Sequence, residues 1–326
     1  MDDRRSVRGW ARAAGCLCAA ACVALLAAGL SGCGPAVRPV ESTVSTATPL
    51  SGGVGSFPLT MRDDAGRDVT VDKPPARIVS LAPANTEIVY ALGAFDRIVG
   101  VTTYDDYPAA VKDVPKVGDF TTPNLEAIAA AKPDVIFVTG GVQADVMSKL
   151  EGLGVPVFVI DPQTVTDVEN KVEAVGSILG LPDKGVEVSN AMQKTIQDVH
   201  DRVANAKRVH TFVEIGWNPL YTTGPGTLLD DLITEAGGEN VVKLQKGYVG
   251  YSVEQLVADQ PDVYLGTTSS IGSGAALRKR PGYSALTAVK DGRVFALTDD
   301  LVSRPGPRIV QGLLEVAKAL HPELFK

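Results

Sequence analysis

Apolar residues recur along this chain in two alternating rhythms. Short runs bounded by Gly, Pro or Asp have the length and β-branched content of buried strands: RIVSLA at 77–82, IVGV at 98–101, VIFV at 135–138, VPVFVI at 155–160, VHTFVEI at 209–215, VYL at 263–265 and RVFALT at 293–298. Between them the apolar positions take helical spacing. Strand and helix in alternation predict an α/β fold with mainly parallel sheets flanked by helices.

Two of the helix-to-strand junctions are near copies. Residues 124–135 read NLEAIAAAKPDV and residues 252–263 read SVEQLVADQPDV, 128 residues apart, with Glu126 over Glu254 and one Pro-Asp-Val run over the other. One repeat at the spacing of a whole domain predicts two similar lobes rather than a solenoid of short units.

Residues 57–70 alternate around Asp63-Asp64-Ala65-Gly66, which predicts a hairpin. Asn85 or Thr86 is the candidate cap of a helix running to Leu92 and stopping at Gly93. Residues 163–206 are helical, and Asp183 is placed at the start of an amphipathic helix through Val186, Ala191, Ile196 and Val199 to about Val203. Roughly 22 residues at 1.5 Å each span about 33 Å, enough for one long rigid helix to join the lobes. Residues 266–274 and 299–307 are expected to be loops, and residues 308–320 a terminal helix with Pro307 at its first turn. The expected organisation is a leader at 1–33, a spacer at 34–56, lobes at 57–162 and 207–326, and a helical connector at 163–206.

The leader changes the picture of where the chain works. Four arginines precede an apolar run over residues 13–30, and Leu30-Ser31-Gly32-Cys33 resembles a bacterial lipobox. A lipidated Cys33 would anchor the chain outside the cytoplasm on two or more acyl chains. The uncharged Gly, Ser, Thr and Pro that follow cannot bury enough surface to fold and read as a flexible spacer.

The net charge of −7 hides four arginines against two aspartates in the leader, leaving −9 for the remainder. That disfavours nucleic acid, which wants clustered Lys and Arg. All four cysteines lie at or before Cys33, and the three histidines, His200, His210 and His321, lack ligand spacing. The globular part therefore offers no thiol nucleophile or disulfide framework, and no metal site. Phosphate-loop and nucleophile-elbow motifs are missing, and Asp105-Asp106 and Asp299-Asp300 read as loop or capping groups. Binding is expected rather than catalysis, with no cofactor. Strand-end loops instead carry aromatic groups from both halves: Tyr104 and Phe120, then Trp217, Tyr221 and Tyr248, with Asp300 and Arg304 at the last loop. Such ends line the crevice of open α/β sheets, so the set predicts a cleft for a large, flat or amphipathic ligand. Glu126 and Glu254 each open a helix, and their shared register suggests two outward anions facing basic sockets on a symmetric partner.

RIVSLAPANTEIVYALG, Tyr104-Asp105-Asp106-Tyr107-Pro108, NLEAIAAAKPDV, the run Trp217 through Gly224, and residues 304–314 together resemble the extracytoplasmic solute-binding lipoproteins of ABC importers for vitamin B12, ferric siderophores and haem. Within that family the likeness is nearest to the vitamin B12 binders, and it covers roughly residues 57–320. It implies two lobes pinching a ligand, Glu126 and Glu254 docking on arginines of an ABC permease dimer with its ATPase subunits, and a monomer. It also implies that Tyr104, Phe120, Tyr221, Tyr248 and Asp300 line a corrinoid cleft, with Arg304 nearby; Phe120, Thr139 and Tyr248 stand where the B12 binders carry Trp. The alternative ligands are a ferric siderophore, its anionic chelate on Arg304, or haem on a Tyr. A chelatase-like enzyme would need convergent His or Cys, and a ligand sensor would keep the cleft without requiring both glutamates.

Overall fold

The hairpin forms where the alternation placed it. A computed structural model describes Pro49–Ser51 and residues 55–326, so the leader, Cys33 and most of the expected spacer lie outside the described residues. Strands β2 (Leu59–Arg62) and β3 (Asp68–Val71) pair antiparallel around the turn at 63–66. The expected spacer ends earlier than its composition suggests: β1 (Pro49–Ser51) adds to the open edge of β2. Backbone pairing needs no apolar side chains, so composition does not reveal it.

The first lobe is a four-stranded parallel sheet in the order β5-β4-β6-β7, from β4 (Ile78–Ser80), β5 (Ile98–Gly100), β6 (Val135–Val138) and β7 (Val157–Val159). Helices α1 (Pro83–Ala91), α2 (Leu125–Ala130) and α3 (Met147–Glu151) connect its strands. Val135 and Phe137 enter one core while Ile136 and Val138 enter another, the period-two signature of a sheet covered on both faces.

The second lobe holds β8 (Val209–Gly216), β9 (Tyr221–Thr223), α6 (Leu228–Glu235), β10 (Gly238–Asn240), β11 (Tyr248–Gly250), α7 (Val253–Asp259) and β12 (Val263–Thr267). Short helices α8 (Thr268–Ile271) and α9 (Thr287–Lys290) lead to β13 (Val294–Leu297), α10 (Asp299–Ser303) and α11 (Ile309–Leu320). Its sheet runs β11-β9-β8-β12-β13, with β10 sharing an edge of β8; β10, β8, β12 and β13 are parallel, and β9 runs antiparallel to both of its neighbours, β8 and β11. Residues 266–274 and 299–307, expected as loops, each contain a short helix, too brief to show a period.

The sequence repeat is a structural one. Asn124 Oδ1 accepts from the Ala127 N–H at 3.1 Å, and Ser252 Oγ from the Gln255 N–H at 3.0 Å, so both copies start with the same cap. Both helices stop at a left-handed residue, Lys132 (φ 47°) and Gln260 (φ 43°). Asp134 and Asp262 then each accept a main-chain N–H at the entry of the neighbouring strand, Arg77 at 2.9 Å and His210 at 3.2 Å. The Pro-Asp-Val run is thus a strand-pairing device used twice.

The crossing between lobes is made by α5 (Pro182–Val203), 22 residues long. It is not a lone rod: α4 (Val165–Ile178) lies antiparallel along it, so close at one point that a Cβ on Gly176 would sit 2.9 Å from Gly185 Cα. One apolar cluster runs from Ile88 and Phe158 of the first lobe through Val172 and Val199 to Leu232 and Val316 of the second. A continuous core through the joint opposes wide opening. At the start of α1 the cap is Ala82; Asn85 and Thr86 are buried inside the helix, because Pro83 already sets the first-turn φ and needs no N–H partner.

Candidate ligand cleft

A cavity of about 350 Å³ opens between the lobes, walled by Ala82, Pro83, Asn85, Tyr104, Phe120 and Thr139 on one side and by Asp300, Ser303, Arg304 and Pro305 on the other. Four of the expected residues, Tyr104, Phe120, Asp300 and Arg304, therefore meet at one place. The other three do not line this cavity. Trp217 has the Arg280 guanidinium 4.1 Å above its ring and Tyr283 edge-on at 5.4 Å. Tyr221 and Tyr248 stand on β9 and β11, 43% and 61% exposed, and form an apolar shoulder beyond the cavity.

The two aromatic segments of the wall are each held by a buried polar residue. Asp105 accepts from the Thr102 N–H (3.0 Å), the Thr102 hydroxyl (2.5 Å) and the Thr86 hydroxyl, which pins the loop and leaves Tyr104 61% exposed. Burial pushes the Asp105 carboxyl up, and these hydrogen bonds oppose the shift. Phe120 sits on a turn that starts at Gly118, where φ is 119° and a Cβ would lie 2.5 Å from Asn124 N. The fully buried Gln143 staples that turn to the sheet: its Nε2 donates to the Phe120 carbonyl at 2.7 Å and the Leu81 carbonyl at 2.6 Å, and its Oε1 accepts from the Thr139 N–H at 2.9 Å. Sequence reasoning missed Gln143, since a single Gln in a Gly-rich loop carries no periodic signal.

Arg304 is saturated with carboxylates. It donates to Asp106 at 2.6 and 3.2 Å and to Glu87 at 3.3 Å, both in the other lobe, and pairs with Asp300 at 2.8 Å. Its hydrogen bond holds the Asp106 carboxyl below the usual range. Arg308 adds a second cation on Glu87, so three carboxylates face two guanidiniums. Asp161 follows β7, close over Gly140, where a Cβ would meet its Oδ2 at 2.3 Å. Burial, with the Asp64 charge adding to it, pushes Asp161 up; desolvation and the Asp161 charge push the Tyr248 phenol up, so these two groups approach across the lobes. The cleft thus carries an excess of negative charge, and among the described residues that wall the cavity Arg304 is the one cation, already paired.

Glu126 and Glu254 occupy the second position of α2 and α7, both exposed, and neither forms an ion pair with another described residue. Both helices begin at the carboxyl ends of the strands, the edge on which the cleft opens.

Residues 78–301 match the family described as periplasmic binding protein. The chain belongs to that family. The "Uncharacterized ABC transporter substrate-binding lipoprotein YvrC" of Bacillus subtilis is 34% identical across 94% of this chain and 97% of its own length. The crystal structure of the periplasmic vitamin B12 binding protein BtuF of Vibrio cholerae superposes with a TM-score of 0.70 at 29% identity, over 78% of this chain and 99% of that one. The periplasmic heme-binding protein RhuT of Roseiflexus sp. RS-1 gives 0.69 at 26%, over 76% and 98%. Like these two-lobed proteins, the chain is an extracytoplasmic solute-binding component of an ABC importer, with a small-molecule ligand and a permease driven by an ATPase as partners. The relatives are binding proteins rather than enzymes. Among the described residues no helix is long and apolar enough to cross a membrane.

Proposed function

We propose that this protein captures cobalamin or a related corrinoid between its lobes and hands it to the permease, without turnover of its own. The observation that carries the choice of ligand is the state of Arg304. An anionic chelate or the carboxylates of haem would need a free cation on the cleft wall, and Arg304 already answers Glu87, Asp106 and Asp300. A corrinoid presents neutral carboxamides, which Asp300 and main-chain groups can accept from, and broad apolar faces suited to Tyr104, Phe120, Tyr221 and Tyr248. It is far larger than 350 Å³, so one edge would enter the cavity while the rest lies on the aromatic shoulder. Trp217, on the same rim, would contribute through its exposed edge.

Delivery uses the two lobe tips. Glu126 and Glu254, exposed and unpaired on the cleft side, would seat on basic sockets of the two permease subunits. The protein would act as a monomer held to the membrane through lipidated Cys33.

A ligand panel tests the assignment: cobalamin, cobinamide, haem, a neutral ferric hydroxamate and an anionic ferric catecholate, each incubated with the protein and read by native mass spectrometry. The corrinoids should be retained one to one, and haem and the catecholate lost. Retention of haem or the catecholate in preference to cobalamin would overturn the reading.

A further inference from the structure

Behind the cavity a charge network crosses from one lobe to the other. Glu87 projects from α1, and its side chain is only 1% exposed. Both of its oxygens are taken by the opposite lobe: Arg308 donates from Nε at 2.8 Å and from Nη2 at 2.5 Å, and Arg304 reaches it at 3.3 Å. The Arg308 guanidinium lies 4.0 Å from the centre of the Tyr107 ring, and Tyr107 packs edge-on against Tyr90 at 5.6 Å. The network has a buried half, Glu87 with Arg308, and an open half, Asp106 with Arg304, in which Asp106 is 56% exposed.

We propose that Glu87 and Arg308, neither of which lines the cavity, are positioning residues for ligand capture. The first turn of α1 is itself cavity wall through Pro83 and Asn85, and Glu87 lies one turn further along the same helix. Arg304 stands on the opposite wall, in the short link between α10 and α11 that ends at Arg308. A forked, desolvated carboxylate–guanidinium pair is directional, and removing its anion leaves Arg308 without a carboxylate partner and Arg304 with two of its three. The pair therefore sets the spacing of the two walls and keeps Arg304 turned onto Asp300. The Asp106 contact, half exposed and screened by water, adds less to that spacing.

This inference rests on reading the cleft as the ligand site, so its test has one arm that needs no ligand. Glu87→Gln and Arg308→Lys are prepared in the full chain in detergent, the second retaining the charge should the first fail to fold. In ligand-free protein, backbone hydrogen exchange should rise in residues 83–91 and 299–309 while α5 and the second sheet keep their protection. The cobalamin dissociation constant should rise about tenfold in both variants, and less than threefold in Asp106→Asn. A lowered melting temperature with an unchanged dissociation constant would reduce the pair to a structural brace and overturn the proposal. If the parent protein binds no cobalamin, the exchange arm decides alone: unchanged exchange in those two segments overturns the proposal, and a local rise confined to them upholds the pair's role in setting the two walls.

Discussion

Glu169 offers the sharpest energetic test of how the lobes are joined. It lies on α4, 9% exposed, with Oε1 lacking any hydrogen-bond partner among the described residues. Glu173 follows one turn on, and Glu235 faces it from α6, itself paired with His200 of α5. Burial first, and then Glu173 and Glu235, raise the Glu169 carboxyl from its ordinary 4.5 to about 7. A folded-state value above the unfolded one means the folded chain holds the proton more tightly. The associated stability is fully present below pH 4.5 and is lost as pH rises through 7. At 1.36 kcal/mol per pH unit the swing is at most about 3 kcal/mol. Glu169→Gln keeps the size and removes the charge. The variant should match the parent in urea unfolding at pH 4.5 and exceed it by up to about 3 kcal/mol at pH 8. At roughly 2–4 °C per kcal/mol for a chain of this size, the gain is also visible as a higher melting temperature. A variant less stable than the parent at pH 8 would refute the reasoning, because it would mean the charged carboxylate makes a favourable contact at the joint.

Four further outcomes follow from particular contacts. Glu126→Ala combined with Glu254→Ala should cut uptake in cells at least tenfold while the soluble affinity for ligand stays within twofold of the parent; equal loss of both would remove the docking role. Lys132→Gly should be neutral or stabilising by up to about 1 kcal/mol in thermal unfolding, since only the left-handed strain is relieved. Gln260→Gly should instead destabilise by about 2 kcal/mol, because the Gln260 side chain bonds to the Val257 carbonyl and to Thr287, at 2.9 and 2.9 Å, and loses both. Gln143→Leu should cost about 2–3 kcal/mol by stranding three main-chain groups, the Leu81 carbonyl buried and the other two part-buried, and should weaken ligand binding through the loosened Phe120 turn, both readable by calorimetry.

Most of the architecture was legible because it rests on local patterns. The buried strands announce themselves as short β-branched runs, and α5 by its apolar stripe. The lobe repeat shows in Pro-Asp-Val, whose Asp ties one strand to the next in both copies. The cavity was half legible: Tyr104, Phe120, Asp300 and Arg304 lie at strand ends, where the topology of α/β sheets places ligands. What stayed hidden is non-local. Nothing near Glu87 in sequence names Arg308, 221 positions away, as its partner. Arg304 looks like a free cation until the fold brings Asp106 and Glu87 to it. Trp217 looks like a stacking platform until Arg280 is found over its ring. The continuous core through α4 and α5 likewise needs three elements to meet before it exists.

Ser303 lies on α10 at the cavity wall and is exposed, so Ser303→Trp should fold normally while its ring fills the space between the lobes. Titration of cobalamin against parent and variant, followed by the corrin absorbance, bears on the central claim most directly. The account predicts a one-to-one endpoint for the parent and a loss of affinity of at least tenfold in Ser303→Trp. Absence of binding in the parent, or binding that the tryptophan leaves unchanged, would contradict it.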